Sequence, residues 1–258
     1  MSFNMKAILY FILMVILETT WCLAPLQANE IHEVGTSGNN GLKQRVERLE
    51  EALANLSSSQ PINVDVDCSA GESVQDILNK YARVLAELDI TVKGVCTESV
   101  TIYRDYTNIR GAQPGDGFVA PSPGRTVVSI YKARHVQLEH LSISQGIGGL
   151  SASDGANFSA IDLHIDGAHQ GVVINVGASG EIEDSYIDNC GIGATANWNG
   201  SLRIISSEIN SSQVFGVTTA NNASIQLFDN SVVRNTAFHG VYADEGGSID
   251  INNSTVES

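Results

Sequence analysis

A repeat of 22 to 24 residues fills the second half of the sequence and restricts the fold more than any other feature. Six units begin with an apolar residue or a glycine, at Val136, Phe158, Gly180, Leu202, Ile225 and Ile249. Apolar residues recur two positions after each start, at Leu138, Ala160, Ile182, Ile204, Leu227 and Ile251, and seven positions after it, at Ile143, Ile165, Ile187, Ile209, Val232 and Val256. A unit of this length cannot bury its own apolar face, whereas stacked units can. The repeat therefore predicts a solenoid whose coils rise by the strand spacing of about 4.8 Å.

One corner of each coil is marked by residue types that tolerate a positive φ. A glycine stands nine residues before each new unit start, at Gly149, Gly171, Gly193, Gly216 and Gly240. Six residues after it comes Gly155, Gly177, Asn199, Asn222 or Gly246, which suits a left-handed corner. These corners and the short alternating stretches predict an all-β fold, a right-handed parallel β-helix. A propeller or a sandwich would need longer periods and hairpin turn pairs, which this sequence lacks.

The N-terminal part divides into three segments with different compositions. Residues 1–28 predict a signal peptide, because Lys6 precedes an apolar run over 7–17 that is too short for a bilayer span of roughly 20 residues. Cleavage after Ala28 would give a secreted or periplasmic protein with no membrane attachment. Residues 29–60 are predicted to form a linker with a short heptad helix, and residues 61–258 are predicted to form the β-helix.

Two short helices are predicted before the repeat. An a/d stripe, Leu42, Val46, Leu49, Leu53 and Leu56, predicts either an oligomerisation helix or a surface helix docked on the main domain. A second amphipathic helix is predicted over 72–88, where Ser73 and Asp76 fit a capping box. A homo-oligomer is therefore one of the two arrangements that the stripe predicts.

The opening coil carries a family resemblance. The stretch Ile90-Thr-Val-Lys-Gly-Val-Cys-Thr-Glu-Ser-Val-Thr-Ile102, followed by Asn108-Ile-Arg-Gly111, resembles secreted bacterial members of the pectin-lyase-like superfamily of right-handed β-helices. The resemblance extends over about residues 62–258. It implies that the 72–88 helix closes the N-terminal end of the coil stack. The superfamily contains lyases, hydrolases, epimerases, adhesins and phage spikes, so the resemblance predicts a fold and not one function.

The predicted export determines how the cysteines are interpreted. In an oxidising compartment Cys68 and Cys96 are expected to form a disulfide that closes a loop of 28 residues, and two buried thiols are the alternative. Cys190 is expected to be packed rather than nucleophilic, because no histidine or cation adjoins it in the sequence.

The charge balance restricts the partners. The sequence has 14 basic and 29 acidic residues, a net charge of −15, which argues against nucleic acid and against an anionic membrane surface. An anionic substrate would be repelled unless a cation such as Ca²⁺ bridged it to the protein.

The lengths of the repeat units predict where a ligand binds. The next glycine lies 6 positions after the seven-on apolar residue in three units, then 7 and 8 positions after it. In the preceding coil, Val127 lies 18 positions after Ile109, and the segment between them contains a Gly/Pro loop over 111–125. Loops that vary on a rigid frame carry binding sites. The pattern predicts a groove with walls at 111–125 and 233–239, and its base is formed by 144–148, 166–170 and 188–192.

Candidate site residues lie at or beside the base of this groove. Carboxylates and histidines suited to acid/base catalysis are Asp166, His169, Asp188, His164 and Glu208, although the same residue types also serve as solvated turn formers. Asp166 and Asp188 are one repeat apart, which predicts Cα atoms about 5 Å apart and a candidate calcium site. Tyr186, Trp198 and Tyr242 are candidates for stacking on sugar rings or for packing against a neighbouring loop.

Two functions remain open from the sequence. The first is a secreted protein that acts on a polysaccharide in the groove, either as an enzyme or as a binding protein. The second is a structural or adhesive stalk without catalysis, oligomeric through the 42–56 helix. Whether the protein is an enzyme is not decided by these residues.

Overall fold

The computed structural model describes residues 45–46 and 60–257. The chain divides into two units, 1–53 and 54–258, and the solenoid lies in the second. Arg45 and Val46, the described residues of the first unit, are helical and exposed. The predicted signal peptide with Ala28 lies outside the described residues, and so does the rest of the 42–56 stripe.

The second unit winds right-handed through three parallel sheets in about nine turns, which confirms the right-handed parallel β-helix. The first sheet contains Ile62–Asp67, Leu88–Lys93, Thr107–Gly111, Val136–Glu139, Asn157–Ile161, Ser179–Glu183, Ser201–Ile205, Ser224–Phe228 and Ser248–Ile251. The second contains Val95–Thr97, Gly117–Val119, Ser142–Ser144, His164–Asp166, Tyr186–Asp188, Glu208–Asn210, Val232–Arg234 and Thr255–Val256. The third contains Val100–Ile102, Thr126–Tyr131, Gly148–Ser153, Gln170–Ile174, Ile192–Ala196, Phe215–Thr219 and His239–Ala243.

The core is built from rows of equivalent side chains on successive coils. Ile165 pairs in register with Ile143 and Ile187, and all three are buried inside the solenoid. The first sheet contributes a parallel row through Leu138, Ala160 and others of the two-on positions. Because each strand presents alternate residues to the interior, every residue between two core residues faces outward.

The predicted inward position of Val232 is wrong by one residue. Val233 pairs with Ile209 and is fully buried, whereas Val232 pairs with Glu208 on the outer surface. The extra residue lies in the turn Asp229–Asn230, where both residues have positive φ. The spacing predicts that only the segment between the seven-on residue and the next glycine varies in length. The extra residue at Asp229–Asn230 shows that a second corner also varies.

The recurring glycines are explained by close packing between coils. A Cβ on Gly171 would lie 2.4 Å from the carbonyl oxygen of Gly193 and 2.7 Å from Cγ2 of Ile187. No side chain fits between these atoms, so glycine recurs on each coil. The separate prediction of a left-handed corner is also confirmed at Gly155, Gly177, Asn199, Asn222 and Gly246.

The corners contain more left-handed residues than predicted. The residue before each predicted one also has positive φ, at Asp154, Val176, Trp198, Asn221 and Glu245. The other two corners use left-handed residues as well, such as His140 and Asp162 after the first sheet and Asn189 after the second. All three corners therefore turn through the same region of backbone conformation.

The N-terminal end carries a 3-10 helix, Cys68–Ala70, and an α-helix, Val74–Lys80, which is shorter than the predicted 72–88. Ser73 caps it by accepting from the Asp76 amide, as predicted, and the Glu98 carboxylate also accepts from the Val74 amide at 2.9 Å. Beyond Lys80 the chain leaves the helix, because the guanidinium of buried Arg104 donates hydrogen bonds to the carbonyl oxygens of Tyr81, Val84 and Ala86. Leu85, which lies within the predicted 72–88 helix, is therefore exposed.

The predicted disulfide is confirmed between Cys68 and Cys96, whose Cα atoms are 5.0 Å apart. It ties the start of the N-terminal cap to the second sheet. Within the described part of the chain, no helix is long and apolar enough to cross a membrane.

Candidate functional site

The outer surface of the second sheet presents two rows of mostly polar side chains, which we call the second-sheet face. The strands His164–Asp166, Tyr186–Asp188 and Glu208–Asn210 each bury their middle residue and point the two flanking residues outward. One row is Ser142, His164, Tyr186, Glu208 and Val232, and the other is Ser144, Asp166, Asp188, Asn210 and Arg234. Four of the five predicted acid/base candidates lie on this face.

Hydrogen bonds connect the two rows across adjacent coils. The Tyr186 hydroxyl accepts from Nδ2 of Asn210 at 3.0 Å, and the His164 ring lies 5.6 Å from the Tyr186 ring. Arg234 Nη2 lies 2.6 Å from Oε1 of Glu208. The hydrogen bond to Glu208 and the charge of its carboxylate raise the pKa of the Arg234 guanidinium, so Arg234 stays charged. The result is a continuous polar surface around one aromatic ring.

The two candidate calcium ligands are neighbours on this face, as predicted. Asp166 and Asp188 occupy the same register position on adjacent strands. Each carboxylate accepts a side-chain amide, Asn189 Nδ2 to Asp166 at 2.8 Å and Asn210 Nδ2 to Asp188 at 3.1 Å. No cluster of three or more His, Cys, Asp or Glu side chains that could hold a metal occurs within residues 60–257.

The predicted wall over 111–125 is two loops rather than one. A strand, Gly117–Val119, divides it and joins the second sheet, because Phe118 is buried in register with Ile143. The loop over 112–116 therefore rises on one edge of the sheet and the loop over 120–125 on the other. The first loop is held by the buried Asp116 carboxylate, which accepts the amides of Gly94 and Gln113.

A cavity lies beside the second-sheet face on each edge. The cavity at the corner after the first sheet measures about 360 Å³, and we call it the loop cavity. It is lined by Gly111–Gly115, His140, Leu141, Ser142, Asp162 and His164. The cavity at the opposite corner measures about 380 Å³ and includes His169 and residues of the predicted groove base. The structure thus places His164 and His169 on opposite edges of the sheet.

The loop cavity contains an interaction that the sequence did not reveal. Nδ1 of His140 lies 2.8 Å from Oδ2 of Asp162, and the two residues occupy equivalent corners on adjacent coils. Their separation by one repeat, from 140 to 162, was the available signal. Spacing by itself does not distinguish such a pair from two turn residues, because aspartate is also a common turn former.

The three candidate stacking residues do not form one row. Tyr186 lies on the second-sheet face, Trp198 is exposed at the corner after the third sheet, and Tyr242 lies on the third sheet. Tyr242 stacks with Phe215 at 5.1 Å and with His239 at 6.0 Å, which the sequence did not predict. The nearby Asp244 carboxylate raises the pKa of the Tyr242 phenol.

The comparison with family models agrees with the architecture. A family model described as right handed beta helix region matches residues 116–258. No curated protein matches the chain. Among solved structures, the crystal structure of alginate lyase from Paenibacillus sp. str. FPU-7 aligns with a TM-score of 0.49 and 14% identity, over 78% of this chain and 100% of that chain.

Proposed function

The chain belongs to the right-handed β-helix family, and from this premise we propose that it binds a polysaccharide along the second-sheet face. The observation that supports this most strongly is the hydrogen-bonded polar surface around Tyr186. An aromatic ring offers an apolar surface to sugar C–H groups, and the surrounding amides and carboxylates can bond to sugar hydroxyls.

The spacing of the face suits a polymer with a regular repeat. His164, Tyr186 and Glu208 lie on three adjacent coils. Coils are separated by about 4.8 Å, so these residues span roughly 10 Å, or about 15 Å with one further coil. A chain of two or three sugar rings running along the solenoid axis would contact one coil with each ring.

The charges of the face favour a neutral polysaccharide. Asp166, Asp188 and Glu208 supply three carboxylates, against the single guanidinium of Arg234. Negative charge would repel a uronate polymer unless a cation neutralised it. Hydroxyl groups of a neutral polymer can donate to all three carboxylates without that cost.

Glycan-array binding with matched tyrosine variants tests this proposal. We expect wild type to bind at least one neutral polysaccharide, and Tyr186→Ala to weaken that binding about 10-fold, the equivalent of 1.4 kcal/mol. Tyr103→Ala is the control, because Tyr103 is an exposed tyrosine away from this face. If no polysaccharide binds, or if both variants lose affinity equally, the second-sheet face is not the binding site and the stalk alternative is favoured.

We also propose that the protein is exported. The Cys68–Cys96 disulfide supports this, because disulfides persist mainly in oxidising compartments. Expression of the full chain followed by mass spectrometry of the exported protein is expected to show a new N-terminus at Asn29. A protein that stays in the cell with Met1 retained would contradict the proposal.

Self-association through the 42–56 stripe stays a proposal as well. Two heptads are too short to be stable alone, so any oligomer would depend on protein concentration. Light scattering of the mature chain with and without residues 29–60 distinguishes a heptad oligomer from a monomer.

A further inference from the structure

We propose that the loop cavity is a hydrolytic site in which His140 acts as a general base toward a carboxylic ester on the bound polysaccharide. This inference rests on the proposed function, because the cavity adjoins the second-sheet face through Ser142 and His164. The reaction would remove O-acyl groups from sugar hydroxyls and leave the polymer backbone intact.

The first argument is the orientation of the His140 ring. Its Nδ1 lies 2.8 Å from Oδ2 of Asp162. A neutral imidazole that donates its Nδ1 proton to a carboxylate keeps Nε2 unprotonated and available as a base. The carboxylate also stabilises the imidazolium that forms when Nε2 accepts a proton. This pairing is the arrangement that hydrolytic enzymes use to activate an oxygen nucleophile.

The second argument is that the pair, although both side chains are exposed, lines a half-open pocket of suitable size. The loop cavity measures about 360 Å³, within the range of small-molecule sites. The Gly111–Gly115 loop covers one side, and Ser142 and His164 supply polar groups next to each other on adjacent coils. A sugar held on the second-sheet face could direct an acyl substituent over the edge of the sheet into this space.

The choice of an ester over a glycosidic bond follows from the carboxylates. Hydrolysis of a glycosidic bond uses two carboxyl groups about 5–9.5 Å apart, one as acid and one as nucleophile or base. Among the residues that line the loop cavity, only Asp162 carries a carboxylate, and it is engaged by His140. A base without a second carboxylate is suited to acyl transfer to water.

The reaction balances with water as the only co-reactant. Nε2 of His140 takes a proton from water while the water oxygen bonds to the acyl carbonyl carbon. The tetrahedral intermediate then collapses, and the C–O bond to the sugar breaks. The departing sugar oxygen takes the proton from the His140 imidazolium, which gives a free hydroxyl and a carboxylic acid. His140 returns to its starting state.

Hydrolysis of 4-nitrophenyl acetate and acetate release from acetylated xylan test the inference. We expect wild type to hydrolyse both, His140→Asn to lose activity at least 100-fold, and Asp162→Asn to lose about 10-fold or more. His135→Asn is the matched control, because His135 is also a left-handed histidine, with φ of 56° against 54° for His140, and lies outside the cavity. We expect the control to retain the wild-type rate.

The outcomes separate this inference from the proposed function. If wild type shows no hydrolysis above buffer, or if His140→Asn keeps the wild-type rate, the hydrolytic site is overturned even where polysaccharide binding is intact. If His140→Asn keeps its melting temperature and its polysaccharide binding but loses hydrolysis, the inference is supported. Hydrolysis that depends on His140 in a protein that binds no polysaccharide overturns the assignment of a polysaccharide substrate.

Discussion

Asp166 and Asp188 stand side by side on adjacent coils, and each carboxylate accepts an amide from an asparagine one coil farther along the solenoid. Asn189 donates to Asp166, and Asn210 donates to Asp188. Two neighbouring carboxylates repel each other, and each amide donor offsets part of that repulsion. The amide donors thereby help the face to hold two like charges at the strand spacing.

Calcium binding at this pair is testable by thermal melting. If Ca²⁺ bridges the two carboxylates, its addition raises the melting temperature of wild type and leaves Asp166→Asn/Asp188→Asn unchanged, because amides are weaker calcium ligands than carboxylates. Chelator should reverse the rise. Equal shifts in the two proteins, or none in either, would remove the calcium site and leave the pair as amide-bonded surface residues.

Inward positions of the second sheet should not accept a charge. Ile187 is buried between Ile165 and Ile209, so Ile187→Asp would place a carboxylate in the apolar interior. We expect a loss of more than about 3 kcal/mol in the free energy of unfolding. Ile192→Asp is the control, because Ile192 is only half-buried on the outer surface of the third sheet. Similar urea midpoints for the two variants would show that Ile187 does not face the core.

The sequence predicted those features that every coil shares, and it failed where one coil departs from the others. Rows such as Ile143, Ile165 and Ile187 were assigned correctly because the same apolar type recurs at a fixed spacing. The inward position of Val233 was not predicted because a single extra turn residue precedes it. The inward position of Phe118 was not predicted because it lies within a Gly/Pro-rich segment that resembles a loop. Local spacing contains no information about such insertions.

Pairs of side chains on the surface were harder to predict than the core. The contact between His140 and Asp162 depends on the direction of two corner side chains, which residue spacing does not specify. The aromatic residues Tyr186, Trp198 and Tyr242 were grouped by type, yet they occupy three different parts of the coil. Residue spacing predicts most of the residues that face outward, and the turns at the corners decide which of those side chains meet.

The glycine row should be intolerant of a single methyl group. At Gly171 an added Cβ would come within 2.4 Å of the Gly193 carbonyl oxygen, which forces two coils apart. We expect Gly171→Ala to cost about 1–3 kcal/mol by overpacking. Gly124→Ala is the control, since its added Cβ would meet no atom within 4 Å. If the two variants have the same melting temperature, close packing does not explain the recurrence of glycine.

Reduction of the disulfide should lower the melting temperature by loosening the N-terminal cap. The loop of 28 residues closed by Cys68 and Cys96 corresponds to roughly 3–4 kcal/mol in the chain-entropy model. Cys68→Ser and Cys96→Ser should be destabilised equally, because either removes the same cross-link. Peptide mapping that finds Cys190 joined to Cys68 or Cys96 would contradict the pairing.

Alkaline pH should destabilise the protein through Cys190. This thiol is fully buried beneath the second-to-third corner, and burial raises its pKa from 9.0 to about 11. In the unfolded chain the thiol ionises first, so the stability linked to Cys190 is complete below pH 9 and is lost as the pH rises toward 11. The full loss is roughly 2–3 kcal/mol for a shift of this size.

A comparison of wild type with Cys190→Ala isolates this contribution. Between pH 8 and pH 10.5, we expect the free energy of unfolding to fall further for wild type than for Cys190→Ala, because the other groups that titrate in this range are the same in both proteins. The native thiol should also resist alkylation at pH 8, since the thiolate is the reactive form. Equal losses in the two proteins, together with rapid labelling of native Cys190, would show that this thiol is accessible and that burial does not control its ionisation.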